Sequence, residues 1–150
     1  MAYNGKHMEV RRQAHAFYRC QYHIVITTRY RRKIFKLGVK AYLKLKLLEI
    51  KKYYPDIEYT ETSIQPDHVH LVMIIPPKYS ISMIVQTIKQ NTAKSLREKF
   101  EFMKYVFYGR GGIWSIGYFV STIGLDEKTV QDYVRRQERE DLGQAKLELK

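Results

Sequence analysis

Residues 57–75 read IEYTETSIQPDHVHLVMII, and this stretch contains two strand-like runs separated by the turn Gln65-Pro66-Asp67. The first run is rich in Thr, Tyr and Ile, and the second is almost continuously apolar after its first residues, as expected for neighbouring strands. Proline fixes its own φ and aspartate bonds nearby backbone, so the three residues between the runs favour a reversal. The segment therefore predicts an antiparallel strand pair.

Two histidines, His68 and His70, begin the second of these strands. Side chains alternate along a strand with a rise of about 3.3 Å per residue, so both imidazoles point to the same face. One divalent ion can bind both rings, but an alternating strand also places two histidines on its more solvated face without any metal. A metal site additionally needs a third ligand and a nucleophile.

The flanking sequence predicts the other elements of one α+β domain. Alternating apolar positions predict a half-buried strand over residues 18–28, and apolar positions at helical spacing predict a helix over residues 39–54 that Pro55 ends. A second helix is predicted over residues 81–97 and a short strand over residues 118–122. This order predicts a ferredoxin-like or RRM-like antiparallel sheet with helices on one face.

A further helix is predicted to follow Asp126, because this residue is placed to cap it and Val130 and Val134 are separated by four residues. Tyr133 and Gln137 are also four residues apart, so the phenol and the amide project from the same side of this helix. An ordinary exposed helix face also carries such a pair. Only the combination with two histidines favours a nucleophile and a metal ligand.

Composition predicts a polyanionic partner. The 150 residues include 27 Lys and Arg against 15 Asp and Glu, and the formal net charge is +12. This charge attracts nucleic acid; a basic membrane-surface protein is the alternative, but no long apolar span or signal peptide is present. Cys20 is the single cysteine, which excludes an intrachain disulfide and a thiolate zinc cluster. We therefore expect a cytoplasmic, DNA- or RNA-binding protein that has no membrane partner.

The length and the 45% hydrophobic content predict a single domain. Residues 1–16 mix basic residues with no apolar period, so we expect a basic N-terminal arm that is loose, followed by one domain over residues 17–150. Basic side chains in the loop after the first strand and on the polar face of the second helix favour phosphate contacts. These residues are Arg31, Arg32, Lys33, Lys89 and Lys94.

Seven segments occur in a characteristic order: Tyr22-His23-Ile24-Val25, Tyr30-Arg31-Arg32-Lys33, Asp67-His68-Val69-His70-Leu71, Ile75-Pro76-Pro77-Lys78-Tyr79-Ser80, Trp114-Ser115, Gly117-Tyr118-Phe119-Val120-Ser121-Thr122, and Tyr133 with Gln137. In this order they resemble the small single-strand DNA transposases of bacterial and archaeal insertion sequences. That family carries a histidine-hydrophobic-histidine (HUH) motif and a single catalytic tyrosine.

The resemblance implies that His68, His70 and Gln137 bind a divalent metal and that Tyr133 attacks DNA. Cleavage of single-stranded DNA at the hairpin ends of an insertion element would leave a 5′-phosphotyrosine, and a second 3′ hydroxyl would reverse the reaction and rejoin strands. Mixed nitrogen and oxygen ligands with open positions suit Mg²⁺ or Mn²⁺ better than zinc. Phosphate contact is the role left for Lys33, Lys78 and Arg110.

The resemblance also implies a homodimer, because in this family the tyrosine helix can cross to the partner subunit and complete its active site. The sequence leaves open whether sites assemble within one chain or between two. It also leaves open whether Asp67 orients an imidazole or bonds its own backbone in the turn.

Two other functions remain compatible with the sequence. A non-catalytic RRM-like domain would account for the charge and the 13 tyrosines, but the aromatic signature of RRM domains is missing and such a domain needs no histidine pair. A nickase that initiates replication, or a domesticated transposase that acts on host repeats, would keep the same site and differ only in its DNA preference.

Overall fold

The computed structural model describes residues 11–13, 16–18, 20–106, 112–122 and 126–148. None of the helices in these ranges is both long enough and apolar enough to span a membrane. In chain order the elements are β1 (Arg11–Gln13), β2 (Ala16–Tyr18), β3 (Gln21–Thr27), α1 (Leu37–Glu49), β4 (Glu58–Gln65), β5 (His68–Ile74), α2 (Ile81–Lys99), α3 (Phe102–Val106), β6 (Phe119–Ser121) and α4 (Glu127–Glu148).

Strands β3 to β6 form a four-stranded sheet in the spatial order β4-β5-β3-β6, and all neighbouring strands are antiparallel. The predicted turn joins β4 to β5, with Gln65 opposite His68 at the end of the hairpin. Together with the crossover helices α1 and α2, this strand order is that of a ferredoxin-like fold. The predicted α+β class is therefore confirmed.

Helices α1 and α2 form the main hydrophobic core with one face of the sheet. In the central strands, Ile24, Ile26, Val69 and Leu71 are at most 1% exposed. Burying such side chains contributes about 1.5–3 kcal/mol each, so this face supplies most of the apolar burial. Helix α1 ends at Glu49, earlier than the predicted stop at Pro55, and a 3-10 turn over Ile50–Lys52 follows it.

Helix α4 covers the opposite face of the sheet. Val25 of β3 packs against Val130, Tyr133 and Val134 of α4, and Phe119 of β6 lies beside them. The prediction that the first strand is half-buried is therefore wrong, since the helix shields the face that was expected to meet solvent. The alternate polar residues of β3 are buried there: Gln21, His23 and Thr27.

The predicted N-terminal arm, residues 1–16, contains regular structure where it is described. Strands β1 and β2 pair antiparallel, with Arg11 opposite Tyr18 and Gln13 opposite Ala16. The prediction of a loose arm is therefore wrong for these residues, because backbone hydrogen bonds between two short strands order them without an apolar pattern. The hairpin also crosses the predicted boundary at residue 17. Other residues of the arm lie outside the described ranges.

Candidate functional site

His68 and His70 lie on the sheet face that α4 covers. In the register of β3 with β5, His70 lies opposite Val25 and His68 lies opposite Thr27. Because Val25 packs against α4, both imidazoles belong to the α4 face. A cavity of about 260 Å³ beside them lies between the β4-β5 hairpin and the start of α4. Its lining residues are Ser63, Gln65, His68, His70, Asp126, Glu127, Val130 and Gln131.

Asp67 holds the ring of His68. Its Oδ1 lies 2.8 Å from Nδ1 of His68, and its Oδ2 accepts a hydrogen bond from Nε of Arg31 at 3.1 Å. Burial by itself would raise the pKa of Asp67, but the hydrogen bonds from His68 and Arg31 outweigh it and lower the pKa below its ordinary value. The ionised carboxylate accepts the Nδ1 hydrogen of His68, which leaves Nε2 as the candidate ligand atom.

His23 of β3 is a third imidazole at this site, and no role is predicted for it from the sequence. Its Nδ1 lies 3.3 Å from Nε2 of His70, and the two ring centroids are 5.5 Å apart. Burial, followed by the nearby His23 and His68, lowers the pKa of His70 to about 4. His70 is therefore neutral at pH 7 and retains a lone pair for a ligand. The available sequence signal was a histidine at an alternating position of a strand, which becomes informative only once β3 is paired with β5.

The histidines fit a divalent metal, provided that another type of ligand completes the site. Each ring of His68 and His70 uses one nitrogen for a protein partner, as metal-binding histidines commonly do. The buried hydroxyl of Thr27, opposite His68, has no hydrogen-bond partner within the described residues, so a bound polar group would be accommodated. Across those same ranges, no three His, Cys, Asp or Glu side chains form a metal-binding group. A ligand of another type, such as an amide or phosphate oxygen, would complete the site.

Tyr133 is buried on the same sheet face, away from this cavity. Its ring packs against Phe119 with 5.5 Å between the centroids, and it is 8% exposed. Burial, and then the carboxylates of Glu140 and Asp141, raise the pKa of this phenol. Tyr133 does not line the cavity beside the histidines. The arrangement thus keeps the phenol neutral and covered.

Gln137 is also buried, one turn further along α4. Its Nε2 donates a hydrogen bond to the carbonyl oxygen of Ile116. This bond uses the amide nitrogen, whereas a metal would bind the amide oxygen. The α4 side chains that line the histidine cavity come from the first turns of the helix, Glu127 and Gln131 among them. Of the four predicted site residues, the structure thus brings together His68 and His70 only.

Polar contacts attach the C-terminal half of α4 to the loop after β3. Arg31 donates from a terminal guanidinium nitrogen to Oε2 of Glu138 at 3.1 Å, and the backbone N–H of Tyr30 donates to Oδ2 of Asp141 at 2.9 Å. Tyr30 and Arg31 both have positive φ, of 59° and 52°. Residues other than glycine rarely adopt this conformation, so the surrounding contacts must stabilise it.

Residues 16–137 match the protein family described as "Transposase IS200 like". The match extends from β2 into α4 and includes His68, His70, Tyr133 and Gln137. The chain belongs to the IS200-like transposase family.

Two relatives cover most of this IS200-like transposase. The transposase of insertion sequence IS200 from Salmonella typhimurium strain LT2 is 33% identical over 128 residues, which is 85% of this chain and 83% of the relative. The ISDra2 transposase TnpA of Deinococcus radiodurans is 24% identical over 131 residues, which is 87% of this chain and 92% of the relative. The family predicted from the seven segments is therefore confirmed, and the non-catalytic RRM-like alternative is set aside.

Solved structures share the fold. A crystal structure described as a transposase from Deinococcus radiodurans R1 superposes with a TM-score of 0.73 at 26% identity, covering 85% of this chain and 97% of the other. The structure of a REP-associated tyrosine transposase bound to a REP hairpin has a TM-score of 0.53 at 17% identity, covering 77% of this chain and 62% of the other. At that identity, the second likeness shows a common fold only.

In this IS200-like transposase, three of the predicted phosphate-contacting cations are already bound by other groups: Arg31 by Asp67 and Glu138, as described above, and two lysines. Nζ of Lys89 donates to the carbonyl oxygens of Ser115 and Gly117, and burial lowers the pKa of Lys89 to about 8. Lys78 forms an ion pair with Asp56 on the surface. Their charges are therefore less available to a phosphate than those of unbound lysines.

Other predicted cations are exposed. Arg32 and Lys33 lie on the surface of the loop after β3, and Lys94 is exposed on α2. Lys94 also borders a groove of about 670 Å³ between α2 and residues 112–117, which Arg29 and Arg97 line as well. Predicted Arg110 lies outside the described residues.

Proposed function

We propose that this transposase cleaves and rejoins single-stranded DNA at insertion-sequence ends, with Tyr133 as the nucleophile and a divalent metal held by His68, His70 and Gln137. The observation that carries the proposal is the placement of both histidines, one of them held by Asp67, on the sheet face covered by the helix that bears Tyr133. A metal-binding pair and a candidate nucleophile on one face suit phosphodiester chemistry.

The proposed reaction is a pair of transesterifications. The oxygen of Tyr133 forms a bond to phosphorus, the bond from phosphorus to the 3′ oxygen breaks, and that oxygen takes up a proton as a 3′ hydroxyl. The downstream strand stays on the protein as a 5′-phosphotyrosine. Attack by another 3′ hydroxyl restores the phenol and joins the new strands. The number of phosphodiester bonds is conserved, so no external energy source is needed.

A phenol is a poor nucleophile at neutral pH, because its ordinary pKa is about 10 and burial raises the pKa of Tyr133 further. Tyr133 must therefore leave its contact with Phe119 and reach a phosphate beside the histidines before it attacks. A bound divalent metal, Mg²⁺ or Mn²⁺, would offset the negative charge that develops on the phosphate. His68 and His70 would contribute nitrogen ligands, Gln137 its amide oxygen, and Asp67 would keep the ring of His68 in place.

A homodimer with shared sites belongs to the same proposal. Within one chain, Tyr133 and Gln137 lie outside the cavity that His68 and His70 line. A helix α4 supplied by a partner subunit would approach this cavity without the constraints that hold it on its own sheet. DNA as the partner is supported by the net charge of +12 and by Lys94, which is exposed beside the groove at α2.

The proposal is tested with a single-stranded oligonucleotide that contains a hairpin end of the insertion element, incubated with Mg²⁺ or Mn²⁺ and run on a denaturing gel. A label at the 3′ end should migrate with the protein, whereas a label at the 5′ end should appear on a free fragment. The Tyr133→Phe protein should form no adduct, and the control Tyr53→Phe, at an exposed position on the far side of the sheet, should react normally. An adduct on the Tyr133→Phe protein would overturn the assignment.

A further inference from the structure

Four side chains form a continuous hydrogen-bonded network from the histidine pair to α4. Asp67 contacts Nδ1 of His68 with one oxygen and accepts from Nε of Arg31 with the other, and the guanidinium of Arg31 also donates to Glu138. The heavy-atom distances along this path are 2.8, 3.1 and 3.1 Å. Glu138 directly follows Gln137, so the network ends next to the predicted third ligand. We call these four residues the Arg31 network.

The side chains of the Arg31 network are partly shielded from solvent, so their contacts can hold the guanidinium in one orientation. The side chain of Arg31 is 28% exposed, that of Asp67 8% and that of Glu138 39%. Charge-assisted bonds from a planar guanidinium to two carboxylates define its orientation more strictly than a single exposed ion pair would. The left-handed backbone of Arg31 is a conformation that such contacts must stabilise. Arg31 is thus oriented between the metal site and α4.

We propose that Arg31 is a positioning residue that couples divalent-metal binding at His68 to the seating of α4. This inference rests on the metal site of the proposed function. When Glu138 holds one side of the guanidinium, the other side is directed to Oδ2 of Asp67, and Oδ1 stays aligned with the ring of His68. Coupling of this kind is reciprocal, so in the absence of DNA, before Gln137 is engaged, a metal at His68 also favours the seated position of α4.

The experiment is a calorimetric titration of the full chain with Mn²⁺ in the absence of DNA. Arg31→Ala should weaken Mn²⁺ binding about 10-fold or more, which is the usual effect of removing a residue that orients a metal ligand through hydrogen bonds. Glu138→Gln, which is remote from the histidines, should weaken it about 5-fold. The matched control Asp132→Asn makes the same charge change on the exposed face of α4, where Asp132 contacts only Arg135 among the ion pairs of the described residues, and it should bind Mn²⁺ like the wild type.

A double-mutant cycle separates the Arg31 network from a simple charge effect. If Glu138 acts through Arg31, Glu138→Gln should cause no further loss in an Arg31→Ala background. An equal loss in both backgrounds would overturn the proposal. Arg31→Lys should restore only part of the affinity, because an ammonium lacks the planar fork that contacts both carboxylates. If Arg31→Ala fails to fold, the Mn²⁺ affinities of Glu138→Gln and Asp132→Asn are compared instead. Weaker binding by Glu138→Gln alone supports the coupling, and equal binding by the two variants overturns it.

Failure of this inference is distinguishable from failure of the proposed function. His68→Ala, with folding verified by circular dichroism, should abolish Mn²⁺ binding. Wild-type binding by His68→Ala would show that the metal site itself is wrongly placed and would overturn the coupling with it. Loss of binding by His68→Ala, together with wild-type affinity of Glu138→Gln, would leave the metal site in place and overturn the coupling alone.

Discussion

Ser115 donates its hydroxyl hydrogen to Asp141, and each of these residues is 2% exposed. The same carboxylate accepts the backbone N–H of Tyr30 at 2.9 Å, so one side chain of α4 joins the loop after β3 to the segment before β6. Buried carboxylates are stabilised only when such donors surround them. Asp141 is therefore a main attachment point of the tyrosine helix.

Asp141→Ala should destabilise the protein by about 1–3 kcal/mol, because it removes the acceptor of the Tyr30 backbone N–H and leaves the Ser115 hydroxyl with only the carbonyl oxygen of Thr28. The free energy of unfolding in urea measures the change. Asp132→Ala, at an exposed position of the same helix, should stay within about 0.5 kcal/mol of the wild type. Equal stability of the Asp141→Ala protein and the wild type would show that Asp141 does not contribute to holding α4.

Stability at acid pH should depend on Asp67. The folded state lowers the pKa of this carboxyl below its ordinary value of 3.8, since the hydrogen bonds from His68 and Arg31 outweigh the effect of burial. Its stabilising contribution is therefore complete above about pH 4 and is lost as the pH falls through the lower, folded-state pKa. Thermal melts in EDTA should show a larger difference in melting temperature between wild type and Asp67→Asn at pH 5.5 than at pH 2.5. A gap independent of pH would contradict this account.

Two glycine substitutions should have opposite effects on the free energy of unfolding. Gly117 has φ of +89°, and an added Cβ would lie 3.9 Å from Nε2 of Gln137, an ordinary contact. Gly117→Ala should therefore destabilise by about 1 kcal/mol through backbone strain and not through a clash. Gly143 lies within α4, where an added Cβ meets nothing within 4 Å, so Gly143→Ala should stabilise by about 0.5–1 kcal/mol. Urea unfolding of both variants tests the contrast in sign.

Two lysines of α2 should differ in DNA binding. Lys94 is exposed beside the groove, whereas the ammonium of Lys89 is bound to two backbone carbonyls. Fluorescence anisotropy with a single-stranded oligonucleotide at several salt concentrations should show a slope of log K against log salt that falls by about 0.7 for Lys94→Ala. Lys89→Met should leave the slope unchanged. A smaller slope for Lys89→Met alone would reverse this assignment.

Mixed dimers should reveal whether active sites are shared. In a heterodimer of His68→Ala and Tyr133→Phe chains, sharing leaves one complete site, made of the histidines of the Tyr133→Phe chain and the tyrosine of the other. The mixture should therefore form an adduct on the His68→Ala chain, although each variant alone forms none. A size tag on one chain identifies the carrier on the gel. An inactive mixture of folded, paired chains would contradict sharing.

Much of the fold was predictable because its signals are local. The order of strands and helices follows from apolar periods, and the turn at Pro66 follows from its own residues. Asp126 caps α4 as predicted, with its Oδ1 accepting the backbone N–H of Thr129 at 2.7 Å. The prediction that β3 is half-buried was wrong because burial of its second face depends on α4, more than a hundred positions away in the chain.

The candidate site, like the fold, has features that the sequence predicts and features that depend on tertiary contacts. Sequence alone determined that His68 and His70 share one face, since alternation along a strand is a local property. Only the tertiary structure decided that His23 meets His70 across 47 positions, that Arg31 lies between two carboxylates, and that Tyr133 is covered in this arrangement. Strand register and helix docking depend on contacts between distant residues, and a period or motif within one segment carries no information about them.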